Sequence, residues 1–218
     1  MSKSLGNVRT GRSFVAEYGS EIFKYLMLSA HYRSVLDFSP AQLDHVISAL
    51  ARIYSALSLA TKAAIEKADP TTPADFQKVL DEARKGVEES LDDDFNSPEA
   101  LARLFEVIRT FNNMVRTPGP VTPKKSAIAK AFLDWSKWLG NMMSLFAESP
   151  AEFLKTLDDM LLRKNNLDRA QIDTLVRERG EARASKDFKR ADELRGQLAE
   201  MGITVQDSAQ GSEWEVAK

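Results

Sequence analysis

Apolar residues fall mostly three or four apart at Leu43, Val46, Ile47, Leu50, Ile53, Tyr54, Leu57 and Ile65. That spacing draws one apolar stripe along a helix several turns long. Its start is written in the chain. The Ser39 oxygen can accept from a backbone amide, Pro40 suits the first helical position, and Gln42 completes a capping box. The same device recurs at Ser97-Pro98-Glu99, at Thr122-Pro123 and at Ser149-Pro150-Ala151-Glu152, and more loosely at Thr72-Pro73-Ala74-Asp75. These starts predict helices near 10–18, 20–30, 40–67, 73–91, 98–116, 123–146 and 150–163. The stripes between 40 and 146 can be buried only against one another, so the expected fold is mainly α, an antiparallel helical bundle. Leu101, Leu104, Phe105, Ile108 and Phe111 are core candidates, with Phe132, Leu133, Trp135, Leu139 and Phe146. Trp135, Trp138, Met142 and Met143 stand at helical spacing and read as core, not as a cofactor box.

The character of the chain changes after residue 163. Asn165-Asn166 and the capping Asp168 mark a linker over 164–170. Helices are predicted near 169–185 and 187–201. Gly202–Val205 reads as a strand, Gly211 as a turn, and Glu213–Val216 as a second strand. The expected organisation is a helical connector at 1–37, the bundle at 38–163 and a small mixed α/β unit at 164–218, made of two helices plus a short β-hairpin.

Composition narrows the chemistry. The 218 residues contain no cysteine and two histidines, His31 and His45. Disulfides and thiolate metal sites are excluded, and no metal site is expected in this chain. No apolar run approaches the ~20 residues of a membrane span, and no basic-then-apolar leader opens the chain. A cytoplasmic monomer without a membrane partner is the expectation. The net charge of −2 conceals an uneven distribution. Residues 1–36 hold five bases and two acids, 66–106 five bases and twelve acids, and 163–195 ten bases and seven acids. Basic ends around an acidic middle suit a chain that touches a polyanion in two places, and they equally suit solvated helix faces.

Two stretches could carry chemistry. Near the end of the chain, Arg179 and Arg183 share a helix face and Lys186 lies three further on. Asp187 and Phe188 sit at the helix break, Asp192 and Arg195 on the next helix, and Asp207 and Trp214 in the hairpin. Cations for a backbone, rings for stacking and carboxylates for base edges are the elements that recognise single-stranded RNA loops. The same residues could form a charged helical hairpin whose rings cover its own core. At the other end, Met1-Ser2-Lys3-Ser4-Leu5-Gly6-Asn7 offers an ammonium between two hydroxyls ahead of a flexible glycine, a pattern suited to phosphate oxygens.

This opening stretch resembles the KMSKS loop of class I aminoacyl-tRNA synthetases, less its first lysine, in the form seen in cysteinyl-tRNA synthetases. Arg183-Ala184-Ser185-Lys186-Asp187-Phe188, Ala191-Asp192, Gly202-Ile203, Asp207 and Gly211 through Trp214 resemble the anticodon-binding end of the bacterial members of that family. His31-Tyr32-Arg33-Ser34 and Asp92-Asp93-Asp94-Phe95-Asn96 with Pro98-Glu99-Ala100 are similar to two further blocks, and all occur in family order. The resemblance implies a DALR-type bundle. It implies that Lys3, with Ser2 and Ser4, belongs to a loop closing over ATP, where Lys3 would stabilise charge on the triphosphate. Arg33 would lie near the inner side of the tRNA stem. Asp192 and Asp207 would be candidates for reading guanine, and Arg179, Arg183 and Asp187 would approach the other bases and the backbone of the anticodon loop of tRNA(Cys). Phe188 stands where the family often has a tryptophan, keeping the ring without the indole donor. His31 reads as structural. The family's Rossmann domain, HIGH motif and zinc site lie upstream of these blocks, so the chain alone is expected not to activate cysteine. Two alternatives stay open on the residues: a free-standing RNA-binding module, and a helical interaction protein with no RNA role.

Overall fold

A computed structural model describes residues 10–36, 38–65, 68–208 and 211–217. The chain divides into two compact units, residues 1–153 and 154–218. The division falls inside the helix at Pro150–Lys164, well before the linker at 164–170.

The first unit holds α1 (Gly11–Tyr18), α2 (Ser20–Leu28), α3 (Pro40–Ala63), α4 (Ala74–Asp92), α5 (Ser97–Val115), α6 (Pro123–Met143) and the first turn of α7 (Pro150–Lys164). Ser39 and Thr122 cap as their sequences suggest, accepting from the amides of Gln42 and Lys125 at 3.2 Å. The cap of α5 shifts by one residue. Asn96, not Ser97, accepts from the Glu99 amide at 3.4 Å. Ser97 is buried and its hydroxyl donates to the Leu28 carbonyl at 2.9 Å, tying the end of α2 to the start of α5. A tertiary demand has taken over a side chain that local sequence would use as a cap.

The apolar stripes meet as expected. Phe111 stacks on Phe132 with centroids 4.3 Å apart, and Tyr54 on Phe153 at 3.8 Å. Trp135 is core, its indole N–H donating to the Leu80 carbonyl at 3.1 Å. Five of the expected core positions are less buried. Phe105, Leu133, Trp138 and Phe146 are half-buried, and Phe105 lies under the Arg52 guanidinium. Met142 is exposed. Two helices stop early. α3 ends at Ala63, which leaves Ile65 outside the stripe and exposed. α6 ends at Met143, because Ser144 turns left-handed (φ 55°) and the Leu145 amide returns to the Gly140 carbonyl at 2.9 Å. A Cβ on Gly140 would lie 2.6 Å from the Leu145 carbonyl oxygen, so glycine is required by this close return.

One buried charge binds the first unit together. Glu21 on α2 is 2% exposed. Its carboxylate accepts from the Tyr54 hydroxyl at 2.9 Å and the Phe146 amide at 2.5 Å, and pairs with Lys24 at 3.0 Å. Burial, reinforced by Glu21, pushes the Tyr54 hydroxyl far up, so it stays a donor. Three separate parts of the chain thus converge on one carboxylate, and each supplies a hydrogen the buried charge needs.

The second unit contains the rest of α7, α8 (Arg169–Ala184), α9 (Phe188–Glu200) and the antiparallel hairpin of β1 (Ile203–Ser208) and β2 (Gly211–Val216). Asp168 and Asp187 cap α8 and α9. Between these helices Lys186 takes a left-handed conformation (φ 63°), which breaks the helix and brings the Asp187 amide to the Ala182 carbonyl at 2.8 Å. Ile172, Val176, Leu194, Leu198, Ile203 and Val216 fill the core. The strands are longer than their apolar pattern suggests. Ladder pairing extends them through Asp207, opposite Ser212. Among the described residues, no helix is long and apolar enough to cross a membrane.

Tyr54→Phe removes one donor from a buried carboxylate and should destabilise the first unit by about 1–3 kcal/mol, read as a lower urea midpoint with unchanged slope. Gly140→Ala should also destabilise, against the ~1 kcal/mol that helix propensity alone would add. A raised midpoint would show that the Leu145 return is not a constraint.

Candidate nucleic-acid interface

The second unit carries an open cleft of about 420 Å³ where α8, α9 and β1 meet. Arg179, Arg183, Phe188, Asp192, Arg195 and Asp207 line it, with Ala191 and Val205 between them. Six side chains that sequence spacing set on three separate elements therefore face one surface. Arg179 and Arg183 stand one helical turn apart. Phe188 opens α9 and is 64% exposed, an unusual state for a large ring. The alternation of β1 turns Val205 and Asp207 to the same face of the hairpin.

Asp207 is the electrostatic centre. Its Oδ1 accepts from Arg179 Nη1 at 2.8 Å and from the Ser212 hydroxyl at 2.7 Å. Its Oδ2 accepts from Arg179 Nη2 at 2.9 Å and pairs with Arg183 Nη1. A carboxylate offers about four lone-pair sites, and these contacts occupy them. Asp192 differs. It is exposed and makes no hydrogen bond or ion pair among the described residues, so its acceptor capacity is open. The cleft thus holds one committed and one open carboxylate. Arg195 is likewise exposed and uncommitted among the described residues.

The two arginines of α8 are also unequal. Arg179 is 6% exposed, both its terminal nitrogens hold Asp207, and its Nε lies buried without a partner among the described residues. Arg183 has a half-exposed side chain and one contact to Asp207.

Three residues named with these from sequence lie elsewhere. Lys186 and Asp187 occupy the exposed helix break, where the Asp187 carboxylate accepts from the Arg190 amide at 3.0 Å. Trp214 does not line the cleft. Its indole N–H donates to Asp173 at 2.7 Å, and Arg169 lies 4.5 Å over its ring. Ser212 was not among the sequence-derived site residues. Period-two alternation across a hairpin is the signal that pairs it with Asp207, and it appears only once the register is known.

In the first unit, two sequence blocks converge. Tyr32 donates from its hydroxyl to Asp94 Oδ1 at 2.7 Å, and Arg33 pairs with Asp94 Oδ2 at 3.1 Å. Arg33 Nε donates to the Tyr32 oxygen at 2.9 Å, and His31 stacks on the Tyr32 ring. The hydrogen bond to Asp94 raises the Tyr32 hydroxyl above its ordinary range, which keeps it a donor. Asp94 and Phe95 both adopt φ 55°, and Phe95 is exposed. Consecutive non-glycine residues in that region store strain, which is common at functional sites. His31 also makes polar contacts here: its Nδ1 accepts from the Arg33 amide at 3.3 Å, and its Nε2 lies 3.9 Å from Asp94 Oδ2. Lys3, Ser2 and Ser4 lie outside the described residues.

Comparison with known proteins places three family models along the chain. Residues 1–48 match the class I (C) tRNA synthetase catalytic domain, 86–147 the DALR domain, and 169–214 the cysteinyl-tRNA ligase anticodon binding domain. The cysteine–tRNA ligase of Bdellovibrio bacteriovorus is 46% identical over 218 residues, covering 100% of this chain and 45% of that protein. That of Nitratidesulfovibrio vulgaris (strain Hildenborough) is 37% identical over 223 residues, 99% of this chain and 45% of that protein. That of Idiomarina loihiensis is 37% identical over 214 residues, 98% and 41%. The chain spans less than half the length of these relatives. Over its whole length the chain matches the C-terminal region of cysteine–tRNA ligases.

Proposed function

We propose that the chain supplies tRNA recognition to a ligase that joins cysteine to tRNA(Cys) using ATP, and that the cleft of its second unit holds unpaired bases of the anticodon loop. One observation supports this most directly. An exposed ring, an open carboxylate and the exposed side chains of Arg183 and Arg195 share one cleft beside a hairpin, and every one of them is a nucleobase-recognition group. Phe188 stacks a splayed base, a contact that typically contributes about 1–3 kcal/mol. Asp192 accepts from the N1 and N2 donors of guanine, the first base of the GCA anticodon. Arg183 and Arg195 donate to base acceptors and phosphate oxygens. Arg33, held by Asp94 and Tyr32, keeps a largely exposed guanidinium for the inner stem of the tRNA. The Met1–Asn7 loop contributes Lys3, with Ser2 and Ser4, to the ATP phosphates of the whole enzyme. The zinc site implied by the family resemblance lies in the upstream domain. A cytoplasmic monomer fits this role.

The described residues form helices and one hairpin, with no parallel sheet to hold a nucleotide among them. These 218 residues alone should therefore give no cysteine-dependent ATP–pyrophosphate exchange; measurable turnover would contradict the assignment of catalysis to the rest of the enzyme.

Fluorescence anisotropy with stem-loops carrying GCA or ACA tests the recognition. The chain should prefer GCA, and binding should weaken steeply as salt rises. Phe188→Ala should weaken binding roughly 5- to 150-fold with the thermal midpoint unchanged, since the ring covers no core. Asp192→Asn should erase the preference for GCA. Equal binding of both loops by the natural chain, with the variants behaving alike, would end the base-reading assignment.

A further inference from the structure

The anticodon-loop reading assigns contacts to the cleft as a group, yet the two arginines on α8 are built for different tasks. Arg179 has no surface to offer. Its two terminal nitrogens are committed to Asp207, and its Nε is sealed from solvent. Arg183 meets the same carboxylate from the open side through one nitrogen. A two-pronged grip in a dry place holds geometry, because a planar fork against a carboxylate fixes orientation as well as distance. A single prong at a half-exposed site is readily exchanged.

We propose that Arg179 is a positioning residue that never touches RNA, and that Asp207 is an internal anion that parks Arg183 until an anticodon loop takes it. In the free protein Asp207 has no lone pair left for a base. Entry of RNA therefore begins with Arg183 changing partner, from the Asp207 Oδ2 to a base or phosphate oxygen. That exchange vacates one Oδ2 position, which then faces the cleft at an orientation set by Arg179 and Ser212. Discrimination at Asp207 depends on the grip of Arg179, and strength of attachment depends on the release of Arg183. The ion pairs also fasten β1 to α8, so a purely structural staple is the competing explanation, and the two differ in what RNA does to each arginine.

This inference rests on the anticodon-loop reading. The decisive measurement uses the natural chain, with arginine side-chain N–H signals followed by NMR during titration with the GCA stem-loop. The signals of Arg183 should shift and those of Arg179 should stay. Arg179→Lys keeps the charge but loses the fork. It should lower discrimination between GCA and ACA loops by roughly tenfold, with the salt dependence of binding unchanged. Asp207→Asn should free Arg183 and raise affinity for an unstructured oligouridine strand several-fold, where a simple staple would lower it. Equal shifts of both arginines, or a reduced salt dependence in Arg179→Lys, overturns the inference alone. Failure of the natural chain to bind any loop overturns the anticodon-loop reading, and this proposal falls with it.

Discussion

A guanidinium taken out of water requires an anion at a fixed place, and Arg179 imposes that requirement on the whole second unit. It sits on the inner face of α8, where apolar residues would otherwise be expected, and Asp207 answers it from β1 in a two-pronged pair. Removing the Asp207 carboxylate would leave a buried guanidinium without its anion. The position of the hairpin along α8 is therefore set by charge as much as by apolar contact. The register follows, since Asp207 can reach Arg179 only if the ladder carries it to the same face as Val205. Ser212, opposite Asp207, completes the carboxylate's partners. The cleft is the open side of this joint, with α9 supplying Phe188 and Asp192 across from it.

The first unit uses the same physics at Glu21. A carboxylate on α2 collects a phenol from α3 and a backbone amide from the loop after α6. Apolar stripes are tolerant of sliding, because one leucine contact resembles another. A buried charge is not tolerant, since each misplaced donor leaves a lone pair without a hydrogen. Asp94 does similar work in a more solvated setting, drawing Tyr32 and Arg33 to a strained turn. In each unit, carboxylates select one arrangement from the several that apolar packing would accept.

The helices were legible because their signals are local. Ser39-Pro40 and Thr122-Pro123 cap where they stand, and the stripe of α3 repeats with the helix itself. The errors fell where a distant partner intervened. Ser97 abandons the cap for the Leu28 carbonyl. α6 stops short because Gly140 admits a returning carbonyl, which its neighbours in sequence do not announce. The strands lengthen because ladder pairing rewards positions with no apolar pattern of their own. Residue types in the cleft were readable as RNA-binding chemistry. Their division into buried and open members was not, for Arg179 and Arg183 are the same amino acid at equivalent points of one helix turn.

The amino-acid sequence thus determined the helical periodicity, the breaks between elements, the families of side chain available near the C-terminus and the resemblance that orders the motif blocks. These are properties of neighbours along the chain. Tertiary structure alone decided which carboxylate is saturated and which is open, that Trp214 braces α8 outside the cleft, and that one arginine is buried while its neighbour faces solvent. Burial and hydrogen-bond partnership depend on what lies across the fold, and residues far apart in sequence meet only when the chain has closed around them.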